Sequence, residues 1–294
     1  MIKIETCPNC GSTNLNLRLN CTDHTVSRET FGIFICDDCE LMFTNPRPLD
    51  ENLNSYYKSE KYISHTNSNK GLFNKAYQLV RKITIKNKVK LLGEKKGKVL
   101  EIGSGTGELL NALNKCGWDC DGVEPDKDAR VLAEKNHNLK LHDSINKINI
   151  GKNKYDRIML WHVLEHISDI NKTLSTIYKL LKKDGLCIIA VPNYKSFDAR
   201  IYSKFWAAYD VPRHLFHFNK KSLISIMNKH SFEIEKIIPM KFDSFYVSLL
   251  SERIKNGKDN YLKGFFNGLI SNIKGWFSNE YSSQIYVFRL KNLK

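Results

Sequence analysis

The chain of 294 residues predicts an α/β fold: a mostly parallel sheet covered by helices, preceded by a small metal-bound module. Two observations carry this. Short apolar runs alternate with amphipathic segments between about residues 98 and 241, and two Cys-x-x-Cys pairs stand near the N-terminus. Alternating β and α segments join parallel strands through right-handed crossovers, which places helices on both faces of the sheet. Apolar content of 41% and charged content of 26% are those of an ordinary globular protein. No run approaches the roughly 18 apolar residues of a membrane-crossing helix.

The expected strands are Val99–Ile102, Cys120–Val123, Leu139–Leu141, Arg157–Leu160 and Leu186–Val191. The expected helices between them include Gly107–Cys116, Asp126–Asn136 and Ser168–Lys183. Upstream, Phe73, Ala76, Tyr77, Val80 and Ile83 recur at helical spacing. The chain therefore divides into a cysteine-bearing unit at 1–48, a helical linker or lid at 49–97, and an α/β domain at 98–294. Within the last, a helical insertion spans about 243–281. The N-terminus lacks the apolar core of a signal peptide, and paired cysteines outside a secreted chain suggest metal, so a cytoplasmic location is expected.

Ligands of such sheets bind beyond the carboxyl ends of the strands. There the chain places Glu101-Ile102-Gly103-Ser104-Gly105-Thr106-Gly107. The glycines Gly103, Gly105 and Gly107, with Ser104, make a tight turn that a ligand can approach closely. The G-x-G-x-G spacing differs from that of a dinucleotide loop, and no Gly-Lys-Ser/Thr end follows to make a phosphate loop. A carboxylate at Glu101 opposes a pyrophosphate but suits a ligand carrying an ammonium and a sulfonium, as S-adenosylmethionine does. After the second strand, Glu124 is placed to accept from two ribose hydroxyls, with Pro125 beside it. Asp143 has two readings, acceptor for an adenine amino group or helix cap. Trp161, at the end of the fourth strand, completes the cofactor-binding set.

Taken together, Val99–Gly107, Gly122-Val123-Glu124-Pro125, Tyr155-Asp156 and Leu180–Leu186 resemble the successive motifs of class I S-adenosylmethionine-dependent methyltransferases, in a bacterial subgroup carrying an N-terminal zinc ribbon. The resemblance covers about residues 98–241 plus the last strand. It implies a Rossmann-like seven-stranded sheet with an antiparallel final hairpin, in which Phe232–Lys241 and Gln284–Leu290 are the sixth and seventh strands. It also implies that Glu101 and Gly103 contact the methionine end of the cofactor.

The fourth strand runs into Trp161-His162-Val163-Leu164-Glu165-His166. A similar Val-Leu-Glu-His string in ubiquinone-biosynthesis O-methyltransferases has been linked to a divalent metal, but those enzymes have an acid where this chain has His162. The competing reading for Glu165 is a brace beneath the cofactor loop. A second cluster, Trp206–Phe218, contains Pro212-Arg213-His214. A histidine titrates near neutral pH, so His214 is the leading general base, with His166 and His162 as further catalytic candidates. Its competing role is to fix the loop. Tyr56, Tyr57, Tyr62 and His65 are candidate lid residues.

Cys7, Cys10, Cys36 and Cys39 form two knuckles 25 residues apart, suited to one structural tetrahedral Zn(II). Cys21 and His24 are read as bystanders. The net charge of +15 concentrates between Lys58 and Lys98, where twelve Lys/Arg face Glu60 and Glu94. A solvated helix face accounts for that run; the alternatives are phosphate, nucleic acid, anionic lipid or an acidic sugar. The function expected is methyl transfer to oxygen or carbon of a small-molecule, saccharide or lipid-linked acceptor, with RNA as the alternative acceptor. In the insertion, Phe265, Phe266, Leu269, Ile270, Ile273, Trp276 and Phe277 form a stripe interspersed with Lys258, Lys263 and Lys274. It is expected to pack on the chain's own domain, a membrane surface being the alternative.

Overall fold

The computed structural model describes residues 1–57, 72–148 and 154–291, with side chains of the helix after residue 72 described from residue 78. The candidate lid residues Tyr62 and His65 lie outside the described residues. The main sheet comprises β4 (Lys98–Ile102), β5 (Asp119–Val123), β6 (Tyr155–Trp161), β7 (Leu181–Pro192), β9 (Phe232–Pro239) and β10 (Ser283–Leu290), in the order β5-β4-β6-β7-β10-β9. The first four run parallel, and β10 is antiparallel to both of its neighbours.

Six strands are present among the described residues, not seven. The missing one is Leu139–Leu141, reduced to a single parallel bridge between His142 and Val123. Leu139 and Leu141 instead pack with Leu110 and Ala133 under the flanking helices, and the chain turns away at Asp143-Ser144. Burial beneath helices thus consumed an apolar run that resembles a strand.

Helix α2 (Leu72–Leu91) packs the half-buried Ile85 and Val89 against the sheet, while Ile83, expected on its apolar face, is exposed. Helix α3 (Glu108–Lys115) starts at Gly107, whose φ of +78° favours glycine. Helix α4 (Lys127–His137) is capped by Asp126, which accepts from the Ala129 N–H. Helix α5 (Ile170–Leu180) buries Ile170, Leu174, Ile177 and Leu180. It ends before Lys183 because Leu181 already pairs with Tyr155 in the sheet.

The cysteine-bearing unit is a hairpin of β1 (Leu15–Thr22) and β2 (Thr30–Cys36), extended by β3 (Met42–Thr44). A one-turn helix, α1 (Asp50–Leu53), follows. The fourth strand of this sheet is β8 (Phe216–His217), contributed from the far side of the sequence, with Met42 opposite His217 and Phe43 opposite Phe216. Cys7, Cys36, Leu41 and Phe43 share one continuous core with Leu100, Ile158 and Ile189. The two units are therefore welded.

The weld has an ionic centre. Arg213 is 1% exposed and donates to Asp210 twice, at 2.6 and 2.9 Å, to Asp23 at 3.0 Å and to the Tyr56 carbonyl at 2.8 Å. Asp23, in the β1–β2 turn, also accepts from the N–H groups of Thr25, Val26 and Ser27. Every bond in the network is charge-assisted, and little water reaches it.

Helices α6 (Phe197–Tyr202) and α7 (Lys220–Lys229) follow β7 and β8, and α8 (Asp243–Asn256) and α9 (Tyr261–Ser278) lie between β9 and β10. Replacing Arg213 by Met removes one partner of a buried set and strands two carboxylates. Chemical denaturation should report a loss of about 3–5 kcal/mol. A loss below about 1 kcal/mol would show that the triad does not hold the units together.

Candidate active site

The loop after β4 is shaped by its glycines. Gly103 and Gly105 have φ of +75° and +53°. A Cβ on Gly103 would stand 2.3 Å from Val163, whereas one on Gly105 would meet nothing within 4 Å. The space over Gly105 is open to a ligand. Ser104 donates its hydroxyl to the Glu101 carbonyl at 2.9 Å, closing the turn. At the end of β5, Glu124 accepts from the Gly105 N–H at 2.7 Å and the Asp126 N–H at 2.9 Å. Burial raises its pKa, although those N–H groups oppose the rise. A carboxylate offers about four acceptor positions, so capacity for ribose hydroxyls is left. Pro125 is followed by the cap Asp126, and Arg130 donates to the Glu124 and Pro125 carbonyls.

Three buried polar atoms around this loop have no partner among the described residues: Glu101 Oε2, Asp143 Oδ1 and Trp161 Nε1. Such groups are costly unless a ligand satisfies them. Burial pushes Glu101 up to about 8, offset in part by Lys88. Lys88 reaches in from α2 with Nζ 4.2 Å from the Trp161 ring centre. Asp143 accepts from Lys147 through Oδ2 at 2.7 Å, so only its Oδ1 is left over. The unpartnered Glu101 oxygen, the open glycine cradle and this free Asp143 oxygen fit a cofactor carrying ammonium, ribose and adenine. For Asp143, the cap of the following turn is Ser144, which accepts from the Asn146 N–H.

Beyond β6, His162 has a φ of +56°, unusual for a residue with a side chain. Its Nε2 is 3.0 Å from Asp243 at the start of α8, and its Nδ1 is 3.5 Å from Glu165. Burial opposes its charge, but the two carboxylates win and raise its pKa to about 10. His162 is thus an imidazolium at neutral pH. His166 differs: burial and the charge of His214 lower it to about 4. Its Nδ1 lies 3.0 Å from both the Arg213 carbonyl and the Tyr57 hydroxyl. A carbonyl only accepts, so Nδ1 carries the hydrogen and Nε2 keeps its lone pair. His214 follows the same logic, donating from Nδ1 to the Ala208 carbonyl at 2.8 Å. The two rings meet edge to face with centres 4.5 Å apart. His217 is held well below its usual pKa by burial and sits 3.3 Å from Thr44 Oγ1.

Glu165 lies beneath them, 1% exposed, with neither carboxylate oxygen hydrogen-bonded among the described residues. Ligand atoms of Glu165, His166 and His214 fall within 4.8 Å of one another. The trio can therefore relay a proton or hold a divalent ion. The sequence-predicted histidines thus converge, but with separate duties set by their partners.

The thiols of Cys7, Cys10, Cys36 and Cys39 also lie within 4.8 Å of one another. Cys7–Cys39 and Cys10–Cys36 are each 3.5 Å apart, and no disulfide forms. Tetrahedral zinc with metal–sulfur distances of about 2.3 Å requires sulfurs about 3.8 Å apart. The cluster fits that ion. Cys21 is buried elsewhere, in the core beside Phe31 and Trp206.

The fold and the loop at its switch point define a class I S-adenosylmethionine-dependent methyltransferase. A family model for the methyltransferase domain matches residues 76–237, more than half of the chain, and the chain belongs to that family. Among curated proteins it is similar to a ubiquinone biosynthesis O-methyltransferase of Rhodopseudomonas palustris strain TIE-1, 25% identical over 176 residues, covering 56% of this chain and 69% of that protein. The corresponding protein of Pelagibacter ubique strain HTCC1062 is 29% identical over 164 residues, covering 50% of this chain and 65% of its own length. Among solved structures, magnesium protoporphyrin IX methyltransferase from Synechocystis PCC 6803 with bound SAH aligns at a TM-score of 0.54 and 13% identity, covering 83% of this chain and all of that one. A SAM-dependent methyltransferase from Archaeoglobus fulgidus aligns at 0.50 and 19% identity, covering 74% and 97% of the two chains.

Lys88 and Asp243 escaped the sequence reading. Lys88 did leave a signal, as the one cation in the apolar series Ile85, Val89 and Leu92. Asp243 left none, since the fold alone brings it to His162. Replacing Glu101 by Gln should weaken S-adenosylmethionine binding by about 1.5–3 kcal/mol in calorimetry. In the native protein affinity should fall as pH drops below about 8, where the carboxylate takes up a proton, and the variant should lack that slope. Equal affinities and equal slopes would dissociate Glu101 from the cofactor.

Proposed function

We propose that the protein methylates oxygen or carbon of a small-molecule, saccharide or lipid-linked acceptor, with His214 as the general base and His166 packed against it. The observation that carries this is the pair of touching rings whose Nδ1 atoms are both tied to carbonyls, so that Nε2 carries the lone pair. In the reaction the acceptor's electron pair forms the new bond to the methyl carbon. The sulfur–methyl bond breaks with its electrons going to sulfur, and the acceptor proton passes to imidazole. The sulfonium is already an activated leaving group, so alignment and exclusion of water supply most of the catalysis. Glu101, Gly103, Ser104, Gly105 and Gly107 cradle the methionine end. Glu124 and Pro125 would hold the ribose, Asp143 the adenine amino group, and Trp161 would complete the cofactor-binding set. His162 serves as a charged brace joining Glu165 to Asp243.

The similar curated proteins are O-methyltransferases of ubiquinone biosynthesis, which supports a small-molecule acceptor. The proposed unit boundaries are a zinc ribbon at 1–48, a linker and lid at 49–97, and the catalytic domain at 98–294, with one structural Zn(II) on the four cysteines. A second reading, a divalent ion on Glu165, His166 and His214, is favoured by the Glu165 oxygens, which have only the 3.5 Å ion pair with His162 and no hydrogen bond among the described residues.

Substituting His214 by Gln should lower turnover by about 10²–10⁴-fold while leaving cofactor affinity unchanged. Activity would be followed as S-adenosylhomocysteine release with candidate acceptors, tRNA included. Retained turnover would remove His214 as base. Activity that vanishes on dialysis against chelator, with zinc content intact, and returns with Mg²⁺ would favour the metal reading. Turnover with tRNA alone would reassign the acceptor.

A further inference from the structure

Helix α9 is packed the opposite way from an ordinary amphipathic helix. Its buried positions are Gly264, Gly268, Ser271 and Gly275, one stripe of small residues. A Cβ on Gly264 would stand 2.9 Å from the Leu249 backbone, and one on Gly268 would stand 2.8 Å from that of Phe245. The close approach to α8 therefore fixes the helix's rotation. Its large apolar residues point the other way. Leu262, Phe265, Phe266, Ile273, Trp276 and Phe277 are all exposed, Trp276 by 75% and Phe277 by 81%. The expectation that this stripe packs on the chain's own domain is reversed: the domain takes the glycine face instead. Contiguous exposed patches of this kind mark interaction surfaces.

We propose that α9 docks the protein on an anionic membrane surface, lying in the interface with its Phe, Leu and Trp side chains among the acyl chains. The inference does not depend on the identity of the methyl acceptor. Charge selects the occupant. No acidic residue occurs between Tyr261 and Ser278, while Lys274 and Lys263, the latter also paired with Glu252 at 3.5 Å, are exposed beside the apolar face and Lys255 and Lys258 just before it. A helix with Trp, Phe and Leu on one side and lysines at its margin suits headgroups of negative charge. A second copy would instead bring another net charge of +15 toward the first. No described helix is long and apolar enough to cross a membrane, so α9 lies on the surface.

The helix is coupled to the site it would position. Ser271 donates to Asp198 at 2.6 Å and Asn267 donates to the Tyr202 hydroxyl at 2.8 Å, both on α6. Asp243, at the start of its partner helix α8, pairs with His162.

The test is co-sedimentation of the full chain with phosphatidylcholine vesicles, with and without phosphatidylglycerol. Binding to the anionic vesicles alone is expected, weakened by salt and reduced on the order of tenfold or more in Trp276→Glu/Phe277→Glu. Both side chains are exposed, so the thermal midpoint and cofactor affinity of that variant should match the native protein. Equal binding by variant and native protein would overturn the proposal. So would absence of binding to either vesicle, whether the chain is then a monomer or a dimer that the same double variant disperses.

Discussion

The guanidinium of Arg213 has to be satisfied away from water, and much of the architecture follows from that requirement. Its three partners, Asp23, Asp210 and the Tyr56 carbonyl, come from the β1–β2 turn, the histidine-bearing rim loop Trp206–Phe218 and the segment before α2. A buried charge of this kind is tolerated only with near-complete pairing. Once it is paired, the next residues have little freedom. The Arg213 carbonyl accepts from His166, the Leu215 N–H donates to the Glu165 carbonyl, and the Leu215 carbonyl accepts from the Thr44 N–H. One short segment thus joins the cysteine unit to the histidine rim, and the cysteine unit becomes a wall of the active site.

The electrostatics of the rim derive from this frame. Three histidines within a few residues or ångströms of each other differ because their neighbours differ. Two carboxylates charge His162, whereas burial and a neighbouring imidazole keep His166 neutral. Glu165 reaches both, and although burial penalises its charge, the imidazoles lower its pKa. A neutral imidazole and a fixed cation are thereby produced from one string of sequence.

Much of this was legible in the sequence, and the misses have physical causes. The glycine loop, with Glu101 and Glu124 beside it at the strand ends, was readable as one cluster because alternating strands and helices fix where such loops meet. The convergence of the four cysteines was readable because each Cys-x-x-Cys turn presents two thiols on one side. Leu139–Leu141 misled because an apolar run states that it is buried, not whether backbone or helix buries it. The α9 stripe misled for a related reason: large apolar residues at helical spacing define a face, while the complementary glycine and serine stripe determines which face packs. Lys88 and Asp243 were hidden because their roles arise from long-range contacts, one from α2 and one from the insertion.

The central claim is that the cysteine unit holds the catalytic rim in place through Arg213 and β8. Hydrogen–deuterium exchange on Cys39→Ser, compared with the native chain, tests this most directly. The account predicts that protection is lost in the β1–β2 hairpin and also in residues 210–217, while β4, β6 and α5 stay protected. Loss of protection confined to the hairpin, with the rim unchanged, would contradict it.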